Sequence, residues 1–264
     1  MIDASALVQS LIYTAQRAGA AIMAVYATDF VVKDKPDASP VTAADEAAEK
    51  IILADLAKIA PDVPVVAEEA VAAGKVPAIL GTADRFFLVD PLDGTREFIS
   101  QRDEFTVNIA LIEAGRPVVG VVFAPARREL YWGDVGAGRA GHIDADPDGT
   151  MPSMGTAIQV RQPPAGGLTA VASRSHRTPE TDAYLANYPV REFRSIGSSL
   201  KFCLVASGAA DIYPRVGPTM EWDTAAGHAV LAAAGGSVTG LEGEPFTYGK
   251  PGFRNGNFVA WGKR

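Results

Sequence analysis

The stretch Val89-Asp90-Pro91-Leu92-Asp93-Gly94-Thr95 decides which fold and which chemistry we predict for this chain. It continues a wholly apolar run, Phe86-Phe87-Leu88-Val89, which is typical of a buried strand. Asp90 stands where that strand should end. Because Pro91 has no backbone N–H, we expect the ladder of strand hydrogen bonds to stop there.

The second part of the same stretch, Asp93-Gly94-Thr95, predicts a turn that caps a following helix. Two aspartates therefore converge on one turn, beside free N–H groups at a helix start. Carboxylate oxygens suit a hard divalent cation, and free N–H groups suit a phosphate. The alternative is a plain turn, since Asp-Gly turns are common in proteins without any site.

Length and charge limit the classes of function. A chain of 264 residues can form one large domain or two closely packed ones. The net charge of -7 argues against a nucleic acid polymer as partner. The segment 161–215 is locally basic, with seven Lys or Arg against four acidic residues. This excess predicts a small anionic ligand held by the second half, and a solvated surface is the equally simple alternative.

The single cysteine, Cys203, excludes an internal disulfide and fits a reducing compartment. The first residues form no basic leader, so we expect no signal peptide. The longest apolar runs are far shorter than the roughly 18 to 20 residues of a membrane span. We therefore expect a cytoplasmic protein without a transmembrane segment, and leave open a peripheral position on the cytoplasmic face of the inner membrane. The sequence does not predict the oligomeric state.

Three further acidic positions stand at predicted element boundaries. Thr42 and Asp45 have the spacing of a helix-start cap, so Asp45 has the alternative of a first-turn carboxylate favoured by the helix dipole. Glu68 follows the predicted strand at Val63–Val66, and Asp223 opens a helix rich in small residues. Such strand ends and helix starts bring side chains to the rim of a core.

The order of predicted elements differs between the two halves. Residues 1–146 predict helices with an antiparallel sheet, including a hairpin of strands at 105–113 and 118–123. We expect residues 133–164, rich in Gly, Asp and Pro, to form hairpin loops and the boundary between halves. Residues 147–264 alternate strand and helix, which predicts a mixed α/β unit. The expected class is therefore a layered α+β and α/β fold with a division at residues 146 and 147.

Several strings resemble one known family. The apolar strand with Asp-Pro-Leu-Asp-Gly-Thr resembles the signature of the inositol monophosphatase-like, metal-dependent phosphatases. The branch that is most similar is CysQ, the 3'(2'),5'-bisphosphate nucleotidases. The strings similar to that branch cover nearly the whole chain: Arg96–Ile99, Glu104–Ala110, Gly197–Phe202, Asp211–Arg215 and Trp222–His228.

The resemblance implies an αβαβα sugar-phosphatase-like fold and a site with two or three Mg²⁺ ions. The implied metal ligands are the carboxylates of Glu68, Asp90, Asp93 and Asp223 and the backbone carbonyl of Leu92. Glu68 is also counted with the catalytic residues. Hard oxygen ligands favour Mg²⁺ over zinc, because the chain has no cluster of Cys or His.

Other roles are implied around the scissile phosphate. Thr95 relays a proton from the attacking water together with Asp45, or caps a helix, and the N–H groups of Gly94 and Thr95 hold a phosphate oxygen. The resemblance implies that four residues approach the nucleotide and that the cations among them bind the phosphate that is not cleaved. These residues are His176, Ser198, Lys201 and Arg215. Without the resemblance, His176 and Arg215 are equally well surface side chains or members of ion pairs. Cys203 and His228 have core spacing, and we expect both to be packed.

The implied activity is Mg²⁺-dependent hydrolysis of the 3′-phosphate of adenosine 3′,5′-bisphosphate (PAP) to AMP and phosphate. The sulfated analogue PAPS is a further implied substrate, the implied process is sulfate assimilation, and the implied inhibitor is lithium. Two alternatives stay open at this point. One is an inositol-phosphate or sugar-phosphate phosphatase on the same scaffold. The other is a regulator that binds a phosphonucleotide without catalysis.

Overall fold

The structure is a computed structural model that describes residues 4–34, 40–77, 84–147, 153–172 and 178–264. Seven α-helices lie in these ranges: α1 Ala4–Tyr26, α2 Ala43–Ile59, α3 Glu68–Ala72, α4 Thr95–Ile99, α5 Pro179–Leu185, α6 Leu200–Ala206 and α7 Glu221–Ala233. Short 3₁₀ helices occupy Pro125–Arg127 and Pro251–Phe253. Within the described ranges, no helix combines the length and the apolar character needed to cross a membrane.

The larger of the two main sheets has seven strands in the order β3-β4-β5-β6-β7-β8-β9. Its strands are β3 Val65–Ala67, β4 Arg85–Asp93, β5 Thr106–Glu113, β6 Arg116–Ala124, β7 Glu129–Asp134, β8 Arg139–Asp144 and β9 Thr156–Ala157. Only the pair β3 and β4 is parallel. The predicted hairpin is confirmed, because β5 pairs antiparallel with β6.

The smaller main sheet has five strands in the order β11-β10-β12-β16-β14. Its strands are β10 Leu168–Ala172, β11 Val190–Ser195, β12 Ile212–Arg215, β14 Ser237–Thr239 and β16 Phe258–Trp261. Strand β10 is parallel to β11 and β12, and β16 is antiparallel to both of its neighbours. Two short pairs complete the strands: β1 Val32–Asp34 with β2 Pro40–Thr42, and β13 Thr219–Met220 with β15 Arg254–Asn255.

Alternation along β4 explains why the large sheet is covered on both faces. Phe87 and Val89 pack against α1 and α2, whereas Phe86 and Leu88 belong to the core shared with α6 and α7. The smaller sheet packs on the other side of α6 and α7, and Leu185 of α5 contacts its outer face. The layers therefore run helix, sheet, helix, sheet, helix, and the expected αβαβα class is confirmed.

The core between the two sheets contains residues from both sides of position 146. Phe86 and Val122 come from the large sheet, and Tyr213 and Phe258 come from the small one. Helix α7 supplies the layer that both sheets contact. The division into units 1–146 and 147–264 stays a prediction.

Two expectations about local structure were wrong. Strand β4 does not stop at Pro91 but continues to Asp93, which pairs with Thr106 after a register shift that begins at Asp90. The missing N–H of Pro91 is tolerated there, because a bulge leaves residues outside the ladder. Residues 133–164 are not only loops, since β8 and β9 extend the large sheet.

Two glycines of the large sheet, Gly120 in β6 and Gly133 in β7, are required by the packing of α7 against the sheet. A Cβ atom at Gly133 would lie 2.7 Å from the Cα of Val230, and one at Gly120 would lie 2.6 Å from the Cβ of Ala229. Both neighbours belong to α7. The glycines therefore let α7 approach the sheet closely, although Gly133 lies in the region that we expected to form loops.

Candidate active site

A cavity of about 290 Å³ lies where the C-terminal end of β4 meets the starts of α6 and α7. Its wall includes Gly94 and Thr95, which follow β4, and Arg215 at the end of β12. Eight of the predicted site residues contribute to the wall: Glu68, Asp93, Gly94, Thr95, Ser198, Lys201, Arg215 and Asp223. Positions far apart in the chain are thus brought to one place.

The cavity wall contains three carboxylates, of Glu68, Asp93 and Asp223, which we call its acidic side. Strands β3 and β4 are parallel, so Glu68 and Asp93 emerge at the same edge of the sheet. Burial raises the pKa of Asp93 to about 6; Lys201 opposes this rise, and the charges of Glu97 and Glu68 add to it. The carboxylates therefore repel one another at short range.

Asp223 completes this acidic side from the third position of α7. Burial raises the pKa of Asp223 well above its usual range, and the charge of Asp93 raises it further. Its Oδ2 atom accepts a hydrogen bond of 2.8 Å from the N–H of Met220, so the side chain also caps the helix. A cap position fixes one oxygen and leaves the other for a ligand.

Asp90 and Leu92 lie behind the cavity wall. Asp90 is 2% exposed, and its Oδ1 atom accepts a hydrogen bond of 3.0 Å from the N–H of Leu92. The carbonyl oxygen of Leu92 lies 3.3 Å from the Thr95 hydroxyl. Their predicted roles as metal ligands stay predictions.

Thr95 connects the cavity to Asp45. Thr95 is the first residue of α4, and the cap position is occupied by Gly94, which has a φ of 92°. No side chain forms a cap hydrogen bond there, so the expected role of Thr95 as a helix cap is wrong. Its hydroxyl lies 3.4 Å from Oδ1 of Asp45. Asp45 is 2% exposed, and its Oδ2 atom accepts hydrogen bonds of 2.8 and 2.7 Å from the N–H and hydroxyl of Thr42. Asp45 therefore caps α2 and also lies within reach of Thr95.

The cavity wall also contains two cations, Lys201 and Arg215, which we call its cationic side. Lys201 is 5% exposed, and burial lowers its pKa to about 8, although Asp93 opposes this change. Its Nζ donates to the carbonyl oxygen of Ser198 at 2.6 Å. Arg215 donates to the carbonyl oxygen of Pro218 at 3.3 Å, and its Nε is buried without a protein hydrogen-bond partner in the described ranges.

Ser198 connects the segment before α6 to the end of β4 and to Glu104. Its hydroxyl oxygen lies 2.8 Å from the carbonyl oxygen of Asp93 and 2.7 Å from that of Glu104. A Cβ atom at Gly94 would overlap the same hydroxyl. Ser198 thus holds the end of β4 against the start of α6, in addition to lining the cavity. His176, predicted to approach the substrate, lies outside the described residues.

Sequence reasoning missed other residues of the wall, notably Glu97, Tyr213, Thr219 and Thr224. Glu97 lies within a string that we had used for the resemblance, without a role. Tyr213 precedes Arg215 by two residues in a strand, and the period of two places both side chains on one face. This alternation of side chains along the strand could therefore have identified Tyr213 as a residue of the site.

The donor set fits a hard divalent cation. Glu68, Asp93 and Asp223 offer carboxylate oxygens to one cavity. Within the described part of the chain, no three His, Cys, Asp or Glu side chains are gathered closely enough to hold one ion by themselves. Mg²⁺ does not need such a cage, because it is commonly bound by one or two carboxylates together with water and phosphate oxygens.

Comparison with known proteins finds relatives that match most of this chain. The chain is 44% identical over 256 residues to a protein of Salmonella typhimurium named "3'(2'),5'-bisphosphate nucleotidase CysQ", covering 94% of this chain and 98% of the relative. The protein of that name from Escherichia coli K12 is 46% identical over 250 residues, covering 91% and 95%. The crystal structure of CysQ from Bacteroides thetaiotaomicron, described as a bacterial member of the inositol monophosphatase family, superposes with a TM-score of 0.78 at 37% identity, covering 98% of both chains.

A family model gives the same result at the level of the whole sequence. The model of the inositol monophosphatase family matches residues 3–263. Since this match spans nearly every residue and the fold and the similar strings agree with it, the chain belongs to the inositol monophosphatase family.

Proposed function

We propose that this chain is a Mg²⁺-dependent 3'(2'),5'-bisphosphate nucleotidase that hydrolyses the 3′-phosphate of PAP to give AMP and phosphate. Members of its family are typically metal-dependent. The relatives that match most of its length carry the name of this nucleotidase. The observation that carries the proposal is a single cavity whose wall contains both carboxylates and the cations Lys201 and Arg215.

The two sides suit the two phosphates of the substrate. The acidic side repels a bare phosphate, so the scissile group binds there only through cations held by Glu68, Asp93 and Asp223. The cationic side attracts the second phosphate directly, and the guanidinium of Arg215 can hold it through two N–H groups. An inositol monophosphate has no second phosphate for that side.

Bound Mg²⁺ supplies charge neutralisation for the phosphate and makes water a better nucleophile. The residues implied to hold it are Glu68, Asp90, Asp93 and Asp223, with the Leu92 carbonyl. Gly94 and Thr95 line the cavity, and their N–H groups are the proposed donors to a phosphate oxygen. We propose two or three ions.

The Thr95 hydroxyl moves the proton. Thr95 lines the cavity, whereas Asp45 lies behind it and its carboxylate reaches the cavity through Thr95. As water attacks, its proton passes to the Thr95 oxygen while the Thr95 proton passes to Oδ1 of Asp45. Oδ2 stays hydrogen-bonded to Thr42, which holds the carboxylate in this orientation.

The proposal is tested with phosphate-release rates on PAP, PAPS, inositol 1-phosphate and a sugar phosphate, with and without Mg²⁺. We expect PAP to be the preferred substrate, PAPS to be accepted, and turnover to require the metal. Equal rates on PAP and inositol 1-phosphate would overturn the assignment in favour of the sugar-phosphatase alternative. Absence of turnover on all four substrates, with PAP still bound, would favour the regulator.

Removing the positive charge of Lys201 or Arg215 tests whether these residues bind the second phosphate. Lys201→Met and Arg215→Gln should each lower kcat/KM for PAP by at least about tenfold, with a much smaller loss on inositol 1-phosphate, because only PAP presents a phosphate to these cations. Exposed Lys263→Met and Arg254→Gln are the matched controls. Equal losses on both substrates would contradict the assignment.

We further propose a role in sulfate assimilation, in the cytoplasm, where the free thiol of Cys203 fits the reducing conditions. Inhibition by lithium follows from the family resemblance. Full activity in millimolar lithium would contradict it.

A further inference from the structure

Tyr213 is an aromatic residue with one polar atom on the wall of the cavity. It lies on β12, is 4% exposed, and contributes to the wall. Its hydroxyl makes no hydrogen bond within the described residues. The hydroxyl oxygen is nevertheless not one of the fully buried polar atoms that lack a partner there, so it is not fully buried. Because Tyr213 lines the cavity and its hydroxyl has no partner within the described residues, that hydroxyl is available to a ligand in the cavity.

The ring of Tyr213 is held in place by packing. Phe202 of α6 contacts it edge-on with centroids 5.1 Å apart, and Phe258 of β16 contacts it edge-on at 5.5 Å. Nζ of Lys201 lies 5.5 Å from the ring centroid. With contacts on several sides, the phenol cannot rotate away without disturbing the core, so the position of the hydroxyl is predetermined.

Two cations lie near the phenol of Tyr213. Arg215 lies two residues along the same strand, so its side chain leaves the same face of β12 as Tyr213. Lys201 covers the ring of Tyr213 from α6. Burial raises the pKa of the Tyr213 phenol, Arg215 partly opposes this, and Asp93 and Asp223 raise it further. The phenol is thus protonated at neutral pH and can donate to an anionic oxygen.

We propose that Tyr213 is a specificity-determining residue whose hydroxyl donates a hydrogen bond to the phosphate of the nucleotide that is not cleaved. Together with Lys201 and Arg215 it forms a three-donor subsite, in which the cations supply charge and the phenol supplies direction. The inference rests on the proposed nucleotidase function. It assigns a role to a residue with no formal charge that was not among the predicted site residues.

The variant Tyr213→Phe removes the hydroxyl and keeps the ring. For PAP we expect kcat/KM to fall about tenfold, mainly through KM, since a hydrogen bond to a charged group is lost. For adenosine 3′-monophosphate, which has no 5′-phosphate, we expect a change of less than about twofold. Equal losses on both substrates, or no loss on either, would overturn the inference.

Binding without turnover gives a second readout. AMP carries only the phosphate that is not cleaved, so isothermal titration in Mg²⁺ should show about tenfold weaker AMP binding by Tyr213→Phe and unchanged binding of adenosine. Unchanged AMP affinity would contradict the role. Thermal unfolding of the variant, expected at the same Tm because the ring contacts remain, checks that the fold is intact.

The wild-type chain separates the two proposals. If it hydrolyses PAP and inositol 1-phosphate equally well, the nucleotidase function fails and the Tyr213 inference fails with it. If it prefers PAP and Tyr213→Phe keeps that preference in full, only the assignment of Tyr213 is wrong.

Discussion

Asp93 interacts electrostatically with three other residues of the cavity wall, Glu68, Asp223 and Lys201. Replacing it with Asn removes a charge that the cations require and leaves the shape of the side chain. We expect Asp93→Asn to lower kcat by at least about 100-fold and to weaken Mg²⁺ binding. Phosphate release and calorimetric Mg²⁺ titration measure the two effects, with exposed Asp62→Asn as control. Unchanged hydrolysis would refute a role for Asp93.

Thr95 offers a cleaner test of the proton path. Thr95→Val keeps the branched shape but removes the hydroxyl, and we expect kcat to fall by about 10² to 10³, because general acid–base catalysis contributes at this scale. Thr95→Ser keeps the hydroxyl next to Asp45 and should retain most of the activity. If the two variants lose the same activity, the hydroxyl is not the relay and Thr95 acts through packing.

At the scale of elements, the site depends on how closely α7 approaches the large sheet. Gly133 of β7 faces the backbone of Val230 and Ala229. Gly133→Ala forces α7 outward and should lower the free energy of unfolding by about 1–3 kcal/mol. Since Asp223 stands at the start of that helix, we also expect KM for Mg²⁺ to rise.

The matched control for Gly133 is Gly256→Ala, because a Cβ atom at Gly256 meets nothing within 4 Å. Urea unfolding measures both variants, and the control should differ little from the wild type. If Gly133→Ala is as stable as Gly256→Ala, the close approach of α7 does not limit the packing.

At the scale of the whole molecule, His228 couples stability to pH. It is buried in α7, its Nδ1 lies 3.0 Å from the Tyr248 hydroxyl, and burial lowers its pKa to about 3. The unfolded chain protonates this histidine below about pH 6.5, whereas the folded chain does not. The free energy of unfolding should therefore fall as the pH drops from 6.5, by at most about 1.4 kcal/mol per pH unit from this residue.

His228→Gln cannot take up that proton. Denaturant unfolding between pH 6.5 and 5 should show a shallower pH dependence for the variant than for the wild type. Parallel curves would mean that His228 does not remain neutral in the folded protein. Asp93, with its pKa of about 6, and Asp223, whose pKa is also raised by burial, titrate in the wild type and the variant alike, so the difference between the two curves measures His228.

Local patterns in the sequence determined most of the elements of the large layered core. The alternation of side chains along β5 and β6 and the Thr42 cap of α2 depend on residues only a few positions apart. Both can therefore be predicted from the sequence without knowledge of the fold. The predictions of a loop at Gly133 and of a strand end at Pro91 were wrong, because the structure at these two residues depends on distant parts of the chain. Their meaning depends on α7 and on a bulge, which lie outside any local window.

The sequence by itself determined the family, the layered class and the acidic residues that stand at strand ends and helix starts. Tertiary structure alone decided that Asp45 lies behind Thr95, that Ser198 ties the end of β4 to α6, and that Tyr213 lines the cavity. The physical reason is distance along the chain. Asp45 and Thr95 are 50 positions apart and Ser198 and Asp93 are 105 apart, so their contacts arise only when the layers pack.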